Sequence, residues 1–208
     1  MLQLSYRIEN IINEDHLQIK QLIYNKVEVS SFDLDILSPV DRLKFDSFLS
    51  EKRRSEFYFT RVLLLDFETE IQIRYKPSGK PVINDGHISV SHSKNIIIIG
   101  FSTEHNLGVD IEFMKEKIHR IKHKFLAPFE LRTFNTNDLN ILTIIWSIKE
   151  AVYKLEDIEG LRFKDDMVVN LIGEEGLISV QKYGISHDYL FNCLVFNDYI
   201  ITYCHLKD

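Results

Sequence analysis

Cysteine is scarce: Cys193 and Cys204 are the only two in 208 residues. Two cysteines cannot build a disulfide scaffold, and no cysteine–histidine spacing fits a zinc site, so a reducing cytoplasm is the expected setting. Long apolar runs are missing as well. Membrane crossing needs about 20 consecutive apolar residues, and no run here is longer than Ile96 to Ile99, which has the length of a strand core. The opening "MLQLSYRIEN" has no basic region leading into an apolar stretch, so no secretory signal is expected. Proline and glycine number four and eight, and no Pro/Gly/Ser-rich linker or low-complexity segment divides the chain. Positive charge is in deficit: the net charge is −6, which argues against a general nucleic-acid binder.

What is there is a globular composition, 45% hydrophobic and 27% charged, with length for one large domain or two small halves. Two basic clusters stand out from the acidic background. "EKRRSEFYFTR" spans Glu51 to Arg61, and "KEKIHRIKHK" spans Lys115 to Lys124, with five Lys/Arg against one Glu. Local basic patches on an acidic protein suit specific anionic ligands or partners, although each also fits a solvated helix face.

Patterning predicts helices mixed with hairpin-like strands, an α+β protein rather than a doubly wound fold. Leu2–Ile8 reads as a strand and Glu14–Tyr24 as a helix capped by Asn13. Ser38 and Pro39 start a further helical region that continues through "RRSEFYFTRVLLLDFETE". "NDG" (Asn84 to Gly86) marks a turn, and "KNIIIIGFS" reads as a strand buried on both faces. The second half begins with the strand "LGVDIEF", followed by a basic helical stretch through "KFLAPFELRTF" and a break at Asn135 to Asp138. A long helix then runs from Leu139 to about Leu155, and strands return to the end.

Three stretches combine polar groups with apolar surroundings. In "GVDIE", Asp110 and Glu112 are two apart on a strand and share a face, while Val109, Ile111 and Phe113 fill the other. Paired carboxylates beside an apolar core repel unless a cation lies between them, and a hard divalent ion is the simplest one. For D-x-E alone, a strand with one exposed polar face is the simpler reading. In "WSIKEAVYKLED", Glu150 and Lys154 are one helical turn apart. A solvated pair of that kind contributes only about 0.3–0.5 kcal/mol, so stability gives little reason for it. If Glu150 faces the strand carboxylates, Asp110, Glu112 and Glu150 make a three-carboxylate metal set, and Lys149 and Lys154 meet the phosphates it attracts. In "SVSHS", His92 lies between two serines, as either a structural residue or a phosphate contact.

In order along the chain, "GKP" (Gly79 to Pro81), "SHS" (Ser91 to Ser93), "GVDIE" (Gly108 to Glu112) and "WSIKEAVYK" (Trp146 to Lys154) resemble the motifs of the 4′-phosphopantetheinyl transferases. The likeness is to the larger, Sfp-type branch, and "KFLAPFE", ending at Glu130, is similar to its phenylalanine-rich stretch. The resemblance implies transfer of the 4′-phosphopantetheine arm of coenzyme A to a serine of an apo acyl or peptidyl carrier protein, releasing adenosine 3′,5′-bisphosphate. It implies Mg²⁺, or Mn²⁺, on Asp110, Glu112 and Glu150, with Glu150 also helping to deprotonate the serine. Ser91 and His92 would contact coenzyme A phosphates, and Lys154 would neutralise charge on the leaving diphosphate bridge. Lys76, Gly79 and Lys80 would lie along the nucleotide, and Arg53, Arg54, Arg61 or Lys44 would grip its 3′-phosphate.

The family fold implied is two similar α+β halves about a pseudo-twofold axis, here 1–104 and 105–208, acting as a monomer. The stretch Lys115–Lys124 would dock the acidic carrier, with no nucleic acid and no membrane involved. Two rivals fit some of the same residues. A metal-dependent nuclease or phosphodiesterase could use D-x-E with E-x-x-x-K, and a non-enzymatic coenzyme A-binding module could keep the motifs without the chemistry.

Overall fold

The structure, a computed structural model, describes residues 5–25, 28–67, 71–172 and 176–207. A hairpin of β1 (Tyr6–Asn13) and β2 (Leu17–Tyr24) precedes helices α1 (Pro39–Ser47) and α2 (Glu51–Leu64). A ribbon of β3 (Arg74–Tyr75) and β4 (Pro81–Val82) leads into the hairpin β5 (His87–Ser93) and β6 (Ile96–Ser102). Then come β7 (Leu107–Phe113), α3 (Lys117–Phe125), α4 (Pro128–Thr133) and the long α5 (Leu139–Glu156). Four strands close the chain: β8 (Met167–Leu171), β9 (Gly176–Lys182), β10 (Ile185–Val195) and β11 (Tyr199–Leu206). The fold is α+β, with one antiparallel sheet ordered β1-β2-β6-β5 and a second ordered β7-β11-β10-β9-β8.

Local chemistry accounts for most boundaries. Ser38 caps α1 by accepting from the Asp41 N–H, with Pro39 at the first helical position. Asp138 caps α5 through the N–H groups of Asn140 and Ile141, inside the predicted break. The isoleucine run forms β6, all seven residues of which are buried. The expected helix over Glu14–Tyr24 is not formed: Leu17–Tyr24 is a strand, and Asn13 ends β1 instead of capping a helix. β2 lies between β1 and β6 and is covered on both faces, so it shows no period-two alternation. Its polar residues find distant partners, Lys20 on Asp66 and Gln21 on Glu9.

Three apolar clusters hold the molecule together. One lies between α2 and the first sheet and includes Phe59, Leu63, Ile97 and Ile99. Another lies between α5 and the second sheet and includes Ile145, Ile148, Val152 and Val169. The third joins the sheets, with Ile19, Ile96 and Ile98 from the first meeting Val109, Ile111 and Ile201 from the second. At this junction β5 and β7 are both edge strands, and their backbones do not pair directly. The Ser89 and Ser91 hydroxyls instead accept the N–H groups of Val109 (3.0 Å) and Ile111 (3.3 Å). Buried donors at an edge must find acceptors, and serines two apart on one strand face supply them at the matching repeat.

Candidate active site

Asp110 lies in the middle of β7, 3% exposed, with both carboxylate oxygens bonded. Oδ1 accepts from Lys154 Nζ (2.6 Å) and Ser91 Oγ (3.0 Å), and Oδ2 accepts from Ser147 Oγ (2.9 Å). Lys154 Nζ also donates to Ser91 Oγ (2.6 Å) and to the Val109 carbonyl (3.3 Å). The cation that electrostatics requires beside Asp110 is thus the Lys154 ammonium, which pairs with Asp110 and not with Glu150. Three elements meet here: β5 brings Ser91, β7 brings Asp110, and α5 brings Ser147 and Lys154.

The other two carboxylates are close enough to feel each other. Burial raises the Glu112 carboxyl and nearby Asp110 raises it further, while the Trp146 N–H, 2.9 Å from Oε1, pulls the other way. Glu150 is pushed up to about 7, first by burial, then by Asp110, with Lys154 opposing and Glu112 adding. Three carboxylates against one lysine leave an excess of negative charge that a proton or a further cation relieves. Among the described residues, no three acidic, histidine or cysteine side chains stand in ready metal-ligating geometry. As a donor set, however, Asp110, Glu112 and Glu150 fit a hard divalent ion, being all oxygen, mutually repelling and only partly neutralised.

From Lys154 a cleft of about 800 Å³ extends along Lys76–Pro81, Ile88–Val90, Tyr153 and Asp157–Gly160. It shares Lys76, Pro77, Gly79, Pro81 and Val90 with a second hollow of about 530 Å³, so the two are continuous around the Gly79 turn. Gly79 has φ of +88° there. Lys44, Arg53, Arg61 and His92 line the second hollow. Arg54 is not among the residues lining it; its Nε donates to the Phe48 carbonyl and its guanidinium lies over Phe45. Arg61 is held by Asp41 (2.6 Å) and the Tyr75 hydroxyl (3.1 Å). The His92 imidazole is half exposed, with Nδ1 3.2 Å from Oε1 of buried Glu56. Burial raises Glu56, but His92 and Lys52 outweigh it and hold the carboxyl below its ordinary value.

The Gly79 turn is anchored to the end of α5. Lys80 Nζ donates to the Leu155 carbonyl, and Lys76 Nζ lies 3.0 Å from Asp157 Oδ2. Bonds from Ser78 and Lys76 hold the Asp157 carboxyl low. The Lys80 ammonium therefore serves the helix terminus at the wall of the cleft. Lys149 does not reach the site either: it is wholly buried against Glu130 (2.7 Å) on the opposite side of α5. The expectation that it meets phosphates is corrected by helix geometry, since adjacent residues point about 100° apart.

Sequence reading missed Ser89, Ser147 and Asp157. A signal existed for two of them: Ser89 is two residues before Ser91 on one strand, and Ser147, Glu150 and Lys154 follow helical i, i+3, i+7 spacing. Asp157 carried none, because its partner Lys76 is 81 residues away.

Fold and site together define an α+β protein with an acidic, lysine-neutralised centre at the head of a cleft that continues into a basic hollow. Residues 106–204 match the family model of the 4′-phosphopantetheinyl transferase superfamily. The match leaves the "GKP" and "SHS" stretches outside it. Among curated relatives, slr0495 of Synechocystis sp., named as a candidate 4′-phosphopantetheinyl transferase, is 33% identical over 41% of this chain and 39% of its own. The Bacillus subtilis 4′-phosphopantetheinyl transferase Sfp is 27% identical over 70% of this chain and 76% of its own. The chain thus spans about two fifths of one relative and three quarters of the other.

Proposed function

We propose that the protein transfers the 4′-phosphopantetheine arm of coenzyme A to a serine hydroxyl of an apo carrier protein. The observation that carries this reading is the Asp110, Glu112, Glu150 and Lys154 group at the head of a cleft continuous with the basic hollow. The serine oxygen bonds to the phosphorus bearing the pantetheine arm, and the P–O bond to the nucleotide side breaks. Adenosine 3′,5′-bisphosphate leaves with the bridging oxygen. Glu150 accepts the serine proton. Lys154 offsets charge growing on the leaving oxygen, and the cleft holds the nucleotide so that the reacting atoms are aligned. Asp110, Glu112 and Glu150 would hold Mg²⁺, which would supply charge neutralisation on the diphosphate.

The reading extends to the rest of the molecule. The basic hollow takes the 3′-phosphate, with Lys44 and Arg53 as its least committed cations. We read the halves 1–104 and 105–208 as pseudo-equivalent, which is supported by their similar connections: β2 pairs with β6 after α1, α2 and β3 to β5, and β7 pairs with β11 after α3 to α5 and β8 to β10. One chain holds one complete site and acts as a monomer in the cytoplasm.

The test is to incubate the protein with Mg²⁺, coenzyme A and several apo carrier proteins, then weigh each carrier. A mass gain equal to the phosphopantetheine arm is expected. No gain on any carrier, together with hydrolysis of a phosphodiester, overturns the assignment.

A further inference from the structure

We propose that the buried Lys149–Glu130 pair is a positioning device that holds the Glu112 carboxylate in place through Trp146. This rests on the transferase reading in one respect, that Glu112 belongs to the phosphate-and-metal site. Lys149 and Glu130 are both completely buried. Lys149 Nζ donates to Glu130 Oε2 (2.7 Å) and to the carbonyls of Phe125 (2.7 Å), Phe163 (2.8 Å) and Met167 (3.1 Å). Glu130 in turn accepts from the backbone N–H groups of Ala127 (2.6 Å) and Val169 (2.8 Å). One ion pair therefore gathers the end of α3, the start of α4, the loop after α5 and the start of β8. A buried ion pair is a poor source of stability, because desolvation offsets its attraction and packed apolar residues do as well. What it supplies is a fixed arrangement of backbone.

That arrangement leads to the site. The two residues whose carbonyls Lys149 holds on either side of α5, Phe125 and Phe163, are the ones whose rings enclose the indole of Trp146. The ring centroids lie 5.2 and 5.3 Å from it, at interplanar angles of 72° and 52°. The indole Nε1–H then donates to Glu112 Oε1 at 2.9 Å. Trp146 and Lys149 are neighbours one turn apart on α5, so the helix carries both ends of the relay. Metal-ligating carboxylates depend on such supporting bonds for their orientation, and losing one weakens metal binding by about 10–100-fold.

The test compares wild type with Trp146→Phe, Phe163→Leu and the double variant Lys149→Met/Glu130→Gln, which leaves no unpaired buried charge. Circular dichroism melting reports folding, calorimetry measures binding of Mn²⁺ alone, and transfer assays give the Mg²⁺ concentration for half-maximal rate. Trp146→Phe and the double variant are expected to lose about tenfold in metal affinity and to need correspondingly more Mg²⁺. Phe163→Leu should follow to a smaller degree. KM for coenzyme A should change far less, a split that general destabilisation does not produce. Should the double variant fail to fold, Trp146→Phe and Phe163→Leu, which keep the ion pair, decide the matter. Folded variants with wild-type metal affinity and half-saturation overturn the proposal while wild type remains active. A wild-type protein that neither binds Mn²⁺ nor transfers the arm overturns the underlying reading.

Discussion

Glu150 is the residue whose surroundings make the clearest demand. Pushed up to about 7 by burial and by Asp110, it is half protonated near neutrality in the metal-free protein. Only the deprotonated form holds a cation, so Mn²⁺ binding should strengthen as pH rises through about 7 and level off above it, as calorimetry across that range would show. Glu150→Gln should cut the rate by at least about 10²-fold with the fold retained; near-wild-type activity would remove Glu150 from its role. Stability has the opposite pH dependence. A carboxyl raised on folding contributes fully below its unfolded value and loses that contribution as pH rises through its folded value. Glu150→Gln should therefore be more stable than wild type at pH 8, by about 1–3 kcal/mol, and no more stable near pH 4. Melts of both proteins across that range check it. The residue types here were legible from strand alternation and helical spacing. The pairing was not: Lys154 chose Asp110 over its helical neighbour Glu150 because three elements bring Asp110, Ser91 and Ser147 around it.

At the scale of elements, the site depends on how closely α5 sits on β7. Gly108 permits that approach: a Cβ there would lie 2.0 Å from the Ala151 carbonyl oxygen and 3.1 Å from Cys204 Sγ. Gly108→Ala must move the helix or the strand, and both carry site residues. The variant is expected to lose at least about 2 kcal/mol of stability and most of its activity; an unchanged melting temperature would show that the contact yields easily. The glycine was visible in "GVDIE", but its reason was not, since Ala151 is 43 residues away on another element. β7, β6 and α5 were predicted nearly to their ends, because continuous apolar runs and an Asp cap act locally. β2 was misread because a strand covered on both faces shows no alternation, and burial on both faces is a property of the sheet.

For the whole molecule, the uneven charge has a direction. The net charge of −6 coexists with α3, whose Lys117, Arg120 and Lys124 are exposed while Ile118 and Phe125 face the core. Lys122 donates to the Thr136 carbonyl and holds the following loop, so it is the least available member of the patch. As a docking surface for an acidic carrier, Lys117→Glu/Arg120→Glu/Lys124→Glu should raise KM for the carrier several-fold and flatten its salt dependence, with KM for coenzyme A unaltered. Carrier kinetics identical to wild type would place docking elsewhere.

The sequence by itself determined the α+β class, most of the elements and the residue types of the site, because turns, caps and apolar periodicity are short-range properties. Only the tertiary structure decided which cation meets Asp110, why Ser89 and Ser91 stand two apart, and that Lys149 belongs to the core. Those outcomes depend on edges, helices and loops brought together from across the chain, and on which polar groups lose access to water when they meet.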